Sequence, residues 1–210
     1  VVACNTASAA ALIWLRHTFP NIPFVGMEPA LKPAAETTQS GVVGVLATPA
    51  TFQGALYASV VERFAQGVRV MQDTCPGLVA QIEAGRLAGF QTRTILETAL
   101  QPMLAAGIDT VVLGCTHYPF VIPLIQEIVG ENVRVIDPAP SVARQVKRLL
   151  DAGGTRNDSS ARGNVSFYTS GDPKALMSLL PVLLGESGEV ERVVWVDDAV
   201  VASEAKQSPS

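Results

Sequence analysis

The sequence predicts an α/β protein of two lobes, each a parallel, doubly wound sheet with crossover helices. Three observations carry that prediction. Short apolar runs rich in β-branched residues alternate with helical patterns along the 210 residues, and this alternation is the signature of parallel sheets joined by helices. Two of the apolar runs deliver a cysteine followed by small polar residues, at what would be the carboxyl ends of strands where βα loops converge. The stretch "FVGMEPALKPAAETTQSG" at 24–41 places two prolines around a short turn and reads as a crossing between lobes.

Taken in order, residues 1–3, 24–26, 42–47, 68–71, 110–114, 133–136, 165–169 and 193–196 read as strands. Residues 7–17, 51–66, 93–106, 121–129, 142–151 and 173–184 read as helices. Ser141 is suited to cap one helix, which Gly153 and Gly154 then stop, and Asp172 before Pro173 is a cap followed by proline at the first helical position. Residues 153–164 are polar, glycine-bearing and aperiodic, which predicts a mobile loop. Residues 197–210 have little to bury and are expected to form a disordered tail. The chain opens at Val1, inside an apparent strand, and so reads as a fragment or a processed chain.

Nearly half the residues are apolar and the net charge is −4. That is enough apolar surface for a sizeable core. An acidic chain is poorly matched to nucleic acid or an anionic membrane, both of which need a basic face. No apolar run approaches the roughly 18 residues of a spanning helix, and no export signal is visible. The expected setting is the cytoplasm and the expected partner a small molecule. There is no G-x-G-x-x-G and no Walker-type glycine loop, so no nucleotide cofactor is expected.

The three cysteines are expected to be thiols. Cys4 and Cys115 occupy matching contexts: Val2-Ala3-Cys4-Asn5-Thr6 parallels Leu113-Gly114-Cys115-Thr116-His117. A cysteine at the carboxyl end of a strand and the start of a helix lies near amide groups that stabilise its thiolate. A buried space-filling thiol is the commoner role for one cysteine alone, but the repeated context suggests two half-sites facing one pocket. Cys75, in "QDTCPGL", leaves a strand for a turn and reads as structural. His117 stands two residues after Cys115 and could relay its proton. With no second histidine nearby and no C-x-x-C, neither zinc nor a local dithiol is expected. Two matched thiols suit inversion of a carbon stereocentre, since each must act as base in one direction and as acid in the other.

These residues resemble those of glutamate racemase, the cofactor-independent enzyme that makes D-glutamate for peptidoglycan. "ACNTASA" at 3–9 and "LGCTHYP" at 113–119 resemble its two catalytic-thiol signatures. Between and after them, "GMEPALKPA" at 26–34, "VGVLATPATF" at 43–52, "TCPGLVAQIEAG" at 74–85, "IDPAPSVAR" at 136–144 and "FYTSGDP" at 167–173 resemble further stretches of the family. Thr-His-Tyr after the second cysteine is more similar to the glutamate enzymes than to their aspartate relatives.

The resemblance implies catalytic roles for Cys4, on the D-glutamate side, and Cys115, on the L-glutamate side, with His117 and Glu83 assisting at Cys115. It implies substrate binding by Asn5, Thr6, Thr48, Thr51, Thr116 and His117, with no cofactor and no metal. The family's opening strand with an Asp-Ser-Gly loop and its later Pro-Tyr-Gly loop are not matched here. The resemblance therefore implies a first lobe made of residues 1–27 plus 139–196 that lacks its amino-terminal βα units, and a fuller second lobe at 28–138. A fragment of that kind is expected to be nearly inactive alone, and its exposed apolar edges favour association such as a homodimer. Two alternatives remain: a racemase of another amino acid such as aspartate, and a non-catalytic remnant that only binds.

Overall fold

The computed structural model describes residues 1–161, 163–196 and 199–202, the last four by backbone alone. By its contacts the chain divides into two units. One holds Val1–Ile82 with Arg86–Asn157, and the other holds Glu83–Gly85 with the residues from Asp158 onward. The lobe boundaries expected from the sequence differ from this division, because 1–27 and 28–138 lie almost wholly in the first unit.

The first unit is built on a four-stranded parallel sheet of β1 (Val42–Ala47), β2 (Arg69–Asp73), β3 (Thr110–Gly114) and β4 (Arg134–Ile136), in the order β2-β1-β3-β4. Its central strands, VVGVLA and TVVLG, are continuous apolar runs because both faces of a parallel sheet are covered. On one face Val43, Val45, Ala47 and Val112 pack with Leu31 and Ala34 of α2 (Leu31–Thr37) and with Tyr57 and Val60 of α4 (Ala55–Phe64). The alternate position Gly44 faces α6 (Phe90–Ala105), against which α7 (Ile122–Val129) packs. A side chain at Gly44 would come within 2.7 Å of the Met103 sulfur. The first unit also holds α1 (Asn5–Thr18), α3 (Pro49–Gln53), α5 (Leu78–Glu83, all but its last residue), α8 (Ala139–Ala152) and a 3₁₀ turn at Tyr118–Val121.

The second unit contains β5 (Phe167–Thr169), α9 (Pro173–Leu184), β6 (Val190–Val196) and β7 (Ala199–Ala202). Strands β5 and β6 are parallel, while β6 and β7 are antiparallel. The strand β7 corrects part of the expected tail: four apolar residues pair with β6, whereas 197–198 and 203–210 lie outside the described residues.

Several sequence expectations need adjusting. Residues 1–3 and 24–26 are not strands; Val2 N–H donates to the Val25 carbonyl at 2.8 Å, with no ladder assigned to either segment. The helix expected over 51–66 is broken at Gly54, whose backbone is extended (ψ 138). Ser141 does not cap α8. The helix starts at Ala139, whose N–H donates to Asp137 Oδ1 at 2.8 Å, and Ser141 Oγ accepts from Arg144 instead. Asp172 does cap α9, accepting from Lys174 N–H at 3.0 Å.

Asp109, just before β3, ties the amino-terminal edge of the sheet together. Its carboxylate accepts from Ser40 N–H (2.8 Å), Thr38 Oγ1 (2.8 Å), Gln39 N–H (2.6 Å) and Thr110 Oγ1 (3.0 Å). Burial by itself raises the carboxyl pKa, but these four donors outweigh it and bring the value from 3.8 to about 2. A depressed folded-state pKa contributes stability that is fully present above the unfolded value and is lost as pH falls through the folded one. Asp109→Asn is therefore expected to cost about 1 kcal/mol at neutral pH, after discounting for solvent screening. It should also flatten the loss of stability between the unfolded value of 3.8 and the folded value of about 2. Urea unfolding at stepped pH checks both effects, and an unchanged acid limb would refute them.

Candidate functional site

The strand register decides which loops meet. Leu46 pairs with Asp73 and Ala47 with Gly114, so the carboxyl ends of β1, β2 and β3 share one edge, and the residues following them converge there. Gly114 lets β1 and β3 approach closely; a Cβ there would lie 2.8 Å from that of Ala47.

A cavity of about 320 Å³ opens at this edge, within the first unit. Cys4, Asn5 and Thr6 from the start of α1 line it, as do Thr48 and Thr51 from the β1–α3 loop and Cys115, Thr116 and His117 after β3. Eight expected site residues are thus brought together. Ala3, Val79 and Gly114 also line it; Ala3 and Gly114 sit beside the cysteines in the quoted motifs, whereas Val79 belongs to a helix too short to show a period. Glu83 is not part of the lining. It is exposed at the end of α5 and clusters with the second unit.

Cys4 stands at the N-cap of α1, where its sulfur accepts from Ala7 N–H at 3.5 Å. Cys115 follows β3 and is 7% exposed. Its sulfur lies 3.9 Å from His117 Nδ1, within reach for sulfur and with the direction of the proton set by the tautomer. Thr116 Oγ1 donates to the Ala3 carbonyl at 2.6 Å, joining the Cys115 loop to the residue before Cys4.

Thr6, Thr48 and Thr51 form a triangle of hydroxyls at 3.0–3.1 Å. Three hydroxyls carry three hydrogens, so a ligand carboxylate can draw donors from the group by rotating them. Asn5 is 2% exposed, and among the described residues neither its Oδ1 nor its Nδ2 has a protein partner. A buried amide left unpaired costs free energy, and one that lines a cavity is suited to a polar ligand.

Cys75 stands apart. It is 2% exposed and sits at φ 44, a left-handed conformation that only it adopts among the described residues other than glycine. Burial first, then the Asp73 carboxylate, pushes its thiol far above the ordinary range, so it stays protonated. It is not a base. Among the described residues no group of three His, Cys, Asp or Glu could hold a metal, and no helix is long and apolar enough to cross a membrane.

The profile of the Asp/Glu/hydantoin racemase family matches residues 1–146. A glutamate racemase of Pseudomonas putida (strain W619) is 52% identical over 193 residues, which span 92% of this chain and 72% of the relative. Among solved structures, the glutamate racemase isoform RacE1 of Bacillus anthracis superposes with TM-score 0.80 at 30% identity, covering 92% of this chain and 73% of that one. The Escherichia coli glutamate racemase, in complex with L-glutamate and the activator UDP-MurNAc-ala, gives TM-score 0.76 at 32% identity and covers 91% and 72%.

Proposed function

We propose, from the premise that this chain belongs to the Asp/Glu/hydantoin racemase family and to its glutamate racemases, that it interconverts L- and D-glutamate by passing the α-proton between two thiols. One observation carries this reading: Cys4 and Cys115, from separate elements, line one cavity together with a buried amide that has no protein partner.

The Cys115 thiolate takes the α-proton of L-glutamate and becomes a thiol. The electron pair left on the α-carbon spreads into the adjoining carboxylate, and the Cys4 thiol then delivers its own proton to the opposite face. D-glutamate leaves, with Cys4 now the thiolate, and the reverse direction exchanges the roles. Each sulfur is therefore both acid and base, which fits one residue type at both positions. His117, 3.9 Å from the Cys115 sulfur, is placed to hold or return that proton. The Thr6–Thr48–Thr51 triangle and Asn5 offer donors to substrate carboxylate, and Thr116 accepts from the ammonium through the oxygen whose hydrogen is committed to Ala3. Resemblance to the family also gives Glu83 a share in proton passage at Cys115, and an unchanged rate in Glu83→Gln would remove it. The enzyme needs no cofactor in this scheme, works in the cytoplasm on free glutamate, and supplies D-glutamate for peptidoglycan. A homodimer is the proposed assembly.

The test follows the circular dichroism of L-glutamate with the purified protein, in the length its gene encodes, alongside L-aspartate. Decay of the L-glutamate signal to zero with L-aspartate unaffected is expected. A persistent signal overturns the reading, and faster loss with aspartate moves the specificity to that substrate.

A further inference from the structure

We propose that Tyr118 is a positioning residue that fixes the Cys115 thiol for proton transfer, by bolting the Cys115–His117 turn to the turn that follows β2. The inference rests on the two-thiol reading above.

Tyr118 is 1% exposed and does not line the cavity, so it is placed to act through its neighbours. Its backbone N–H donates to the Cys115 carbonyl at 3.2 Å and closes the turn that carries Cys115, Thr116 and His117. Its phenol reaches to the neighbouring loop and donates to the Thr74 carbonyl at 3.0 Å, a bond spanning 44 residues. Burial first, then the nearby Cys75, Cys115 and Asp73, raises the phenol far above its ordinary pKa and keeps it a donor.

The anchor it grips is stiff. Cys75 holds φ 44, a conformation that persists in a non-glycine residue only where surrounding bonds over-determine it. Those bonds are present: Cys75 N–H donates to Asp73 Oδ1 at 2.7 Å, and Leu78 N–H donates to the Cys75 carbonyl at 3.0 Å. The same turn leads into α5, whose Val79 lines the cavity. On its other side, the Cys115 loop is held by Thr116 on the Ala3 carbonyl. Removing the phenol oxygen frees this fastening while leaving the ring in place. Displacements of about 1 Å can cost a hundredfold in rate, so loss of one fastening is expected to lower kcat by about tenfold with KM little changed.

The signature is directional. Slowing transfer at Cys115 makes abstraction from L-glutamate more rate-limiting, while abstraction from D-glutamate, performed by Cys4, becomes less so. In Tyr118→Phe the primary isotope effect on kcat/KM is therefore expected to rise with α-deuterated L-glutamate and to fall with α-deuterated D-glutamate. Tyr57→Phe is the control: it removes another buried phenol oxygen, one that accepts from Gln72 at 3.0 Å, and should move neither value. Placing 4-aminophenylalanine at 118 keeps a donor on the ring and should restore the wild-type pattern. Isotope effects in Tyr118→Phe that stay at wild-type values, or change equally for both enantiomers, overturn the proposal. So does failure of the amino variant to restore them. Absence of racemisation in the wild type would instead sink the underlying functional reading, and the face served by each thiol is read separately from the single-serine variants.

Discussion

Replacing either Cys4 or Cys115 with Ser is expected to abolish racemisation while sparing half of the exchange chemistry. A hydroxyl is a far weaker base than a thiolate, and general acid–base groups contribute about 10²- to 10⁴-fold. Loss of either sulfur should therefore lower racemisation by at least about a hundredfold, because one face of the α-carbon loses its proton carrier. The surviving thiol still meets the other face. In deuterated water, Cys4→Ser is expected to exchange the α-proton of L-glutamate through Cys115, and Cys115→Ser that of D-glutamate through Cys4. Proton NMR of each enantiomer with each variant reads the four combinations. Cys75→Ser should keep near-normal racemisation, since its thiol is buried and held protonated, at a stability cost of about 1 kcal/mol. Loss of activity in Cys75→Ser alone, with the other two variants active, overturns the assignment of the bases.

The parts of this protein legible in its sequence are those whose physics is local. The strand at 110–114 and the helix at 173–184 are read to the residue, the first because a two-sided parallel strand is one apolar run, the second because Asp172 and Pro173 mark its start; in the structure Gly185, left-handed at φ 67, closes it. Helices α2 and α5 escape because seven and six residues show hardly two turns of periodicity, and in α2 a proline adds to the disguise. Residues 1–3 look like a strand because an apolar run reads the same whether or not a neighbour pairs with it. The site divides along the same line. Two rare thiols at the ends of apolar runs are conspicuous, whereas the bond from Thr116 to Ala3 spans 113 residues and that from Tyr118 to Thr74 spans 44. Neither leaves a local trace. The threonines at 48 and 51 are visible as a pair, but their closure with Thr6 depends on α1 meeting the end of β1.

Asn5→Leu is expected to move stability and activity in opposite directions. In the native chain the Asn5 amide is buried at the first turn of α1 with neither polar atom satisfied by a described residue. Such a group costs about 1–3 kcal/mol, and substituting an apolar side chain of similar shape can be neutral or stabilising. The urea midpoint is therefore expected to stay level or to rise by an amount worth about 1 kcal/mol. Substrate binding should suffer. A hydrogen bond to a charged group contributes about 1.5–3 kcal/mol, so kcat/KM for L-glutamate should fall by about 10- to 100-fold. A mutation that only damaged packing would lower both quantities together. If Asn5→Leu destabilises the fold while activity per folded molecule is retained, the amide is a structural element and the cavity binds glutamate without it. If stability holds and activity falls, the unpaired amide is strain that the free protein carries and the bound substrate relieves.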